Sequence, residues 1–189
     1  MARKYELKAR AERQEETHRR IVEAAIDLHA SKGPSSTTVS DVARAAGVQR
    51  HTVYRHFPDE RALMTACSGL YTERNPSPDP EPWRALAGAA RLRRGLGELY
   101  AYYAHNEAMF SRVVRDSEVD ELTREMAAAR FGPALQEIGA VLGEALPRRK
   151  PALAALGFAM DFRTWSGLRA NGLSDDEASE VMVRALLAQ

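Results

Sequence analysis

The chain has a single cysteine, Cys67, in 189 residues, so it can close no internal disulfide and offers no cysteine-based zinc site. Long apolar runs are missing too. The longest stretch without a charge, Ala62 to Thr72, is 11 residues and contains Thr, Ser and Tyr, short of the roughly 18 apolar residues that cross a bilayer. The first twenty residues, MARKYELKARAERQEETHRR, mix both signs of charge and hold no apolar core, which argues against a secretory signal and for a cytoplasmic protein. Alternation of apolar and polar residues is absent and β-branched residues are sparse, so no strand is expected. There is no Gly-rich phosphate loop and no strand-turn-helix nucleophile motif. His51 and His56 are five apart and do not share a helix face as an i, i+4 metal pair would. Cys67 lies on an amphipathic segment, where a buried structural thiol is the expectation. No catalytic residue, metal or cofactor is therefore assigned, and an enzyme is not expected.

Charge of one sign is also lacking, since the formal net value is +1. That average hides a division. Up to Phe57 there are 11 Lys and Arg against 7 Asp and Glu, and beyond it 16 against 19. A basic part joined to an acidic one points to a nucleic-acid-binding segment attached to something else.

Helical periodicity is what the chain does have. Ile21, Ala25 and Leu28 run beside Val22, Ile26 and His29 at i, i+4, i+7, and the row stops at Gly33-Pro34. Thr38-Val-Ser-Asp41 forms a capping-box pattern before Val42, Ala43 and Ala46, up to Gly47. Val48 to Phe57 makes another short helix, and Asp59 caps a fourth that carries Leu63, Ala66 and Leu70. Pro76, Pro78, Pro80 and Pro82 then mark an extended connector over residues 75–82. Beyond it lie Leu92, Leu96, Leu99 and Tyr103, then Met109 to Val114. A long helix from Leu122 to Leu142 follows, which Pro133 should kink or break. One helix is expected from Pro151 to Asn171, within which Asp161 and Arg163 read as an ion pair, an exposed stripe or an anchor for a charged effector. A last helix starts at the capping box Ser174-Asp-Asp-Glu177. The reading is all-α with about nine helices. Its parts are an arm (1–16), a head (17–74), the connector and a body (83–189).

Thr38 to Phe57 holds the sharpest signal. Two short helices joined at Gly47, with Ala43 four residues before it, fit a helix-turn-helix whose second helix enters the major groove. Gln49, Arg50, His51 and Thr52 lie at its N-terminal end, where side chains reach base edges; Arg pairs bidentately with guanine and Gln with adenine. Tyr54, Arg55 and His56 come one turn later, near phosphates.

Those residues resemble a known family. Thr38-Val-Ser-Asp-Val-Ala-Arg-Ala-Ala-Gly-Val-Gln-Arg-His-Thr-Val-Tyr-Arg-His-Phe57, followed by Pro-Asp-Glu-Arg-Ala-Leu63, is similar to the DNA-binding region of the TetR/AcrR bacterial transcriptional regulators over roughly residues 17 to 70. The resemblance implies an all-α homodimer with a three-helix DNA-binding head. It also implies a body whose interior takes a small effector and whose last two helices form the dimer interface. Carried over, it places Thr38, Ser40, Tyr54 and His56 on phosphates and Gln49, Arg50, His51 and Thr52 at base-reading positions. Two positions depart from the family pattern: Gln49 stands where Ser or Thr is common, and Glu60 where Lys is common.

Other parts of the chain are weighed on their own residues. The arm, with Arg3, Lys4, Lys8, Arg10 and Arg13 among glutamates, reads either as a groove-reaching extension or as a solvated helical one. In the body, Tyr100, Tyr102, Tyr103, Met109, Phe110, Phe158, Phe162 and Trp165 have the composition of an apolar effector pocket, or of plain core. Small residues such as Ala154, with Val181, Met182, Ala185 and Leu186, suit a dimer seam over 151–189. The function expected is a homodimeric repressor, bound to a palindromic double-stranded operator and released by a small molecule, with no membrane partner. Its rival is an effector-independent or protein-regulated DNA binder on the same fold.

Overall fold

The computed structural model describes residues 2–188, with side chains from Lys8 onward; the expectations placed on Arg3 and Lys4 lie outside the described side chains. The described chain is all-helical, with α1 (Ala2–Lys32), α2 (Val39–Ala45), α3 (Arg50–His56), α4 (Glu60–Arg74), α5 (Gly88–His105), α6 (Glu107–Asp116), α7 (Glu121–Gly143), α8 (Lys150–Met160), α9 (Phe162–Ala170), α10 (Asp175–Leu187) and a 3-10 turn at Glu81–Ala85. These helices fall into two compact units, Met1–Asn75 with Ser111–Arg130, and Pro76–Phe110 with Phe131–Gln189.

In the first unit α1 packs on α2 and α4, and α2 on α3. The apolar row of α1 meets them in one core of Ile21, Val22, Ala24, Ala25, Val39, Val42, Ala43, Ala46, Val53, Phe57, Leu63 and Cys67. Each large member contributes about 1.5–3 kcal/mol by leaving water, while Ala43 and Ala46 keep the helices close. The sequence division into head and body does not show that Ser111–Arg130 packs with this unit. Polar contacts hold it there. Asp116, almost fully buried, accepts from the Ser35 amide at 3.0 Å, and Arg115 donates to the Lys32 carbonyl at 2.8 Å. Arg61 pairs with Glu125 at 2.6 Å, and Arg130 donates to the Thr65 carbonyl and the Ser68 hydroxyl. Gly33 is required beside this contact, since it has φ +102° and a Cβ there would fall 2.3 Å from Arg115 and Asp116 side-chain atoms.

In the second unit α5 buries Leu92, Leu96, Leu99, Tyr100 and Tyr103 and packs on α8, α9 and α10. Arg91 is buried but satisfied, donating to the carbonyls of Leu86, Arg84 and Val141 and pairing with Glu144 at 2.7 Å. The single helix expected from Pro151 to Asn171 is two. Asp161 adopts extended backbone, ends α8 and caps α9 by accepting from the Arg163 amide at 2.7 Å. Carbonyls exposed by the break are taken up, Ala159 by the Tyr100 hydroxyl at 2.8 Å and Met160 by that of Tyr103 at 2.6 Å. Pro133, expected to kink or break a helix, lies inside a continuous α7.

Candidate nucleic-acid interface

Local chemistry builds the two short helices. Thr38 opens α2 with extended backbone, accepts from the Asp41 amide, and has its own amide bonded by the Asp41 carboxylate. That carboxylate also receives Lys32 at 2.6 Å and Arg44 at 3.3 Å. Lys32 foremost, then Thr38, holds it well below the usual carboxylate range. At the other end of α2, Gly47 has φ +64°, and the amides of Gly47 and Val48 return to the carbonyls of Arg44 and Ala43. This closure needs a left-handed residue, for which glycine carries no Cβ penalty. Arg20, reaching from α1, donates to the Ala46 and Gly47 carbonyls. A guanidinium thus holds the turn that sets where α3 begins.

The residues of α3 divide by face. Val53 is buried, whereas Arg50, His51, Tyr54 and Arg55 are exposed and Thr52 and His56 half-buried. Gln49 is the N-cap residue but makes no side-chain capping bond, so its amide is not spent on the helix end. Arg50 donates to the Tyr54 hydroxyl at 3.2 Å with its guanidinium 5.5 Å from the ring centroid. Of the residues expected to meet DNA from α3, Gln49, Arg50, His51 and Tyr54 are exposed, while Thr52 is half-buried. Thr38 and Ser40 lie exposed at the start of α2, with the Thr38 hydroxyl donating to Asp41 at 2.8 Å. His56 turns inward, its ring 6.0 Å from that of His18 and its Nε2 buried without a hydrogen-bond partner. Burial, with His18 and Arg55 adding to it, holds this imidazole below the ordinary histidine range. Glu60 is exposed at the first position of α4, and its neighbour Arg61 is engaged by Glu125.

Comparison with known proteins places this geometry. Residues 21–67 match the model of the bacterial regulatory proteins of the tetR family. That stretch is a TetR-family DNA-binding segment. Over 65 residues it is 38% identical to the HTH-type transcriptional regulator AcrR of Shigella flexneri, covering 34% of this chain and 28% of that protein. The matched stretch thus spans little more than a quarter of that curated relative. Among solved structures, a tetR-family transcriptional regulator from Streptomyces coelicolor aligns at a TM-score of 0.60 and 21% identity, over 92% of this chain and 80% of that one. The regulator FadR from Bacillus subtilis, in complex with stearoyl-CoA, aligns at 0.59 and 19% identity over 88% and 96%. At these identities the likeness is one of fold. The TetR-family DNA-binding head and the all-helical architecture are shared.

Outside the TetR-family head, the residues expected to form an effector pocket separate into two groups. Tyr100, Tyr103, Met109, Phe110, Phe162 and Trp165 are buried in the second unit. Tyr103 has ring neighbours in Phe110, Phe162 and Trp165 at 5.3, 5.5 and 6.0 Å. Phe131, which no sequence pattern singled out, lies tilted against Phe110 with ring centroids 4.8 Å apart. Phe158 does not join them, being 65% exposed on α8. The expected dimer seam divides as well: Ala154, Val181 and Ala185 are exposed, while Met182 and Leu186 face the core of their own unit. The reason is the 3.6-residue period, which turns positions 182 and 186 inward together and 181 and 185 outward together. No helix among the described residues is long and apolar enough to cross a membrane.

Sequence reasoning missed Arg20, Lys32 and Asp116. Arg20 and Asp116 act across 26 and 81 positions on a backbone carbonyl and an amide, and Lys32 reaches from the end of α1 to a carboxylate on α2, so no helical period marks them. Cys67 is buried with its sulfur 3.6 Å from His29 Nδ1, and burial pushes the thiol up to about 12, which leaves no thiolate at neutral pH.

Proposed function

We propose that the chain is a homodimeric transcriptional repressor that binds a palindromic operator through α3 and is released by a small-molecule effector held in the second unit. The observation that carries the DNA part is the exposed α3 face, Arg50, His51, Tyr54 and Arg55, presented by a turn locked from α1. In this reading Gln49, Arg50, His51 and Thr52 read base edges, while Thr38, Ser40, Tyr54 and His56 meet phosphates and fix register.

Dimerisation draws support from an apolar surface on the second unit: Leu153, Ala154, Gly157 and Phe158 on α8 with Val181, Ala185 and Leu187 on α10 are exposed. A stable interface there buries on the order of 1,200 Å² or more. Two recognition helices about 34 Å apart then match successive major grooves. Effector binding draws support from the aromatic character of the second unit and from the stearoyl-CoA held by the similarly folded FadR. Binding of DNA and effector to different states makes each lower the other's affinity by the same factor.

Regulation without a small molecule is favoured by a different feature. The Tyr100 and Tyr103 hydroxyls are already bonded to backbone carbonyls, and the rings around Tyr103 pack against one another as a satisfied core does.

Sequencing DNA selected by the purified protein from random duplexes tests the main reading. Paired, inverted half-sites are expected, and an unenriched pool overturns it. A metabolite panel read by thermal shift and by release of the selected duplex then separates the two modes of regulation.

A further inference from the structure

Four residues of α1, Arg10, Arg13, Gln14 and Thr17, follow one another at i, i+3, i+4 and i+7 and so share one stripe of the helix. Arg55 and His56 of α3 complete a cleft of about 350 Å³ with them. Its lining holds three guanidiniums, an imidazole, an amide and a hydroxyl, and no carboxylate. Segregation on α1 explains this. At 100° per residue, Glu12, Glu15 and Glu16 lie on the opposite side, where Lys8 pairs with Glu12 and Arg19 with Glu16. Within the cleft, Arg13 Nε is spent on the Ala9 carbonyl and the Thr17 hydroxyl on the Arg13 carbonyl, while the inward-facing His56 Nε2 has no partner. Unlike a flexible tail, α1 is continuous from Ala2 to Lys32, so Arg10 and Arg13 are carried on the same rigid rod that supplies the head's core.

We propose that this cleft is an anion site for a DNA backbone phosphate, lying at the end of α3 opposite its base-reading residues and gripping the duplex through Arg10, Arg13 and Arg55. It rests on the reading of the first unit as a DNA-binding head. A phosphate group suits the site because an arginine fork donates two parallel bonds to two of its oxygens, and because the opening sits at the end of α3 remote from Gln49. The cleft lengthens the footprint along the backbone without adding sequence information.

The test is the salt dependence of affinity for a 30-base-pair random-sequence duplex, read by fluorescence anisotropy on the full chain. Each phosphate contact removed lowers the slope of log K against log salt by about 0.9. Arg10→Ala with Arg13→Ala is expected to lower it by about 2 per head, and Lys8→Ala, the same charge on the opposite face, by much less. Equal effects from both variants, or an unchanged slope in a double variant of unaltered circular dichroism, overturn the cleft. Pyrophosphate binding that is lost in the double variant while the duplex slope is kept reassigns the site to a free anion and also overturns it. Failure of the wild-type chain to bind any duplex overturns the head reading instead.

Discussion

Arg50 and Tyr54 are locked to each other one turn apart on α3, guanidinium over ring at 5.5 Å and donor to hydroxyl at 3.2 Å. In the free head, then, the arginine suited to reading guanine is parked on the tyrosine suited to meeting phosphate. Arg50→Ala is expected to relax preference at one base pair per half-site, a loss of about 1–3 kcal/mol of discrimination there. Tyr54→Phe is expected to weaken binding across all sequences alike. Comparing selected-sequence profiles of both variants checks the division of roles; identical profiles would show it to be wrong.

The turn between α2 and α3 depends on Arg20. Arg20→Ala removes a charged donor from the Ala46 and Gly47 carbonyls, and a loss of about 1–2 kcal/mol is expected for charge-assisted bonds at a partly exposed site. Chemical denaturation measures the loss. Faster hydrogen exchange at Gly47 and Val48 would locate it at the turn rather than throughout the head.

Gly33 faces two constraints, its positive φ and the Arg115 and Asp116 side chains. Gly33→Ala is expected to destabilise the first unit by about 2 kcal/mol or more, through strain and displacement of the buried contact. Asp116→Ala deprives Arg115 and the Ser35 amide of their acceptor and is expected to cost about 1–3 kcal/mol, since Arg115 is half exposed and is rehydrated. Because both act on one contact, the double variant should fall short of the sum. Additivity in denaturation curves would count against a shared contact.

His29 should make the head acid-sensitive. Burial pushes its imidazole down to about 4 from the ordinary 6.5, with Asp116 acting in the opposite direction. Between those values the unfolded chain binds the proton and the folded one does not, so stability is full above pH 6.5 and falls as pH drops toward 4. The shift corresponds to about 3 kcal/mol. Denaturation at pH 7, 5.5 and 4.5 should show this decline in the wild type and a shallower one in His29→Gln.

Phe158 and Phe162 are four residues apart yet opposite in burial. Phe158→Ser is expected to leave helix content unchanged and shift the chain toward monomer in sedimentation, whereas Phe162→Ala should lower the melting temperature of the second unit, at about 3–5 kcal/mol for a buried aromatic.

The sequence alone determined the features that depend on near neighbours. The Thr38–Asp41 and Ser174–Glu177 boxes form as their spacing demands, Gly47 takes the left-handed turn, and the rows Ile21–Ala25 and Leu92–Leu96–Leu99–Tyr103 are buried, because caps, turns and helix faces are set within a few residues. The DNA-binding segment was legible for the same reason: its chemistry lies in twenty consecutive positions. Tertiary structure decided the rest. Asp161 ends a helix because Tyr100 and Tyr103, some sixty residues earlier, take the carbonyls that the break exposes. Phe158 and Met182 exchange their expected faces because neighbouring helices choose which side is covered. Residues 111–130 join the first unit through Asp116 and Arg130, and Arg55 meets Arg10 and Arg13 only where α3 folds back on α1. Contacts of this kind depend on which side chains packing brings together, and no local periodicity encodes that.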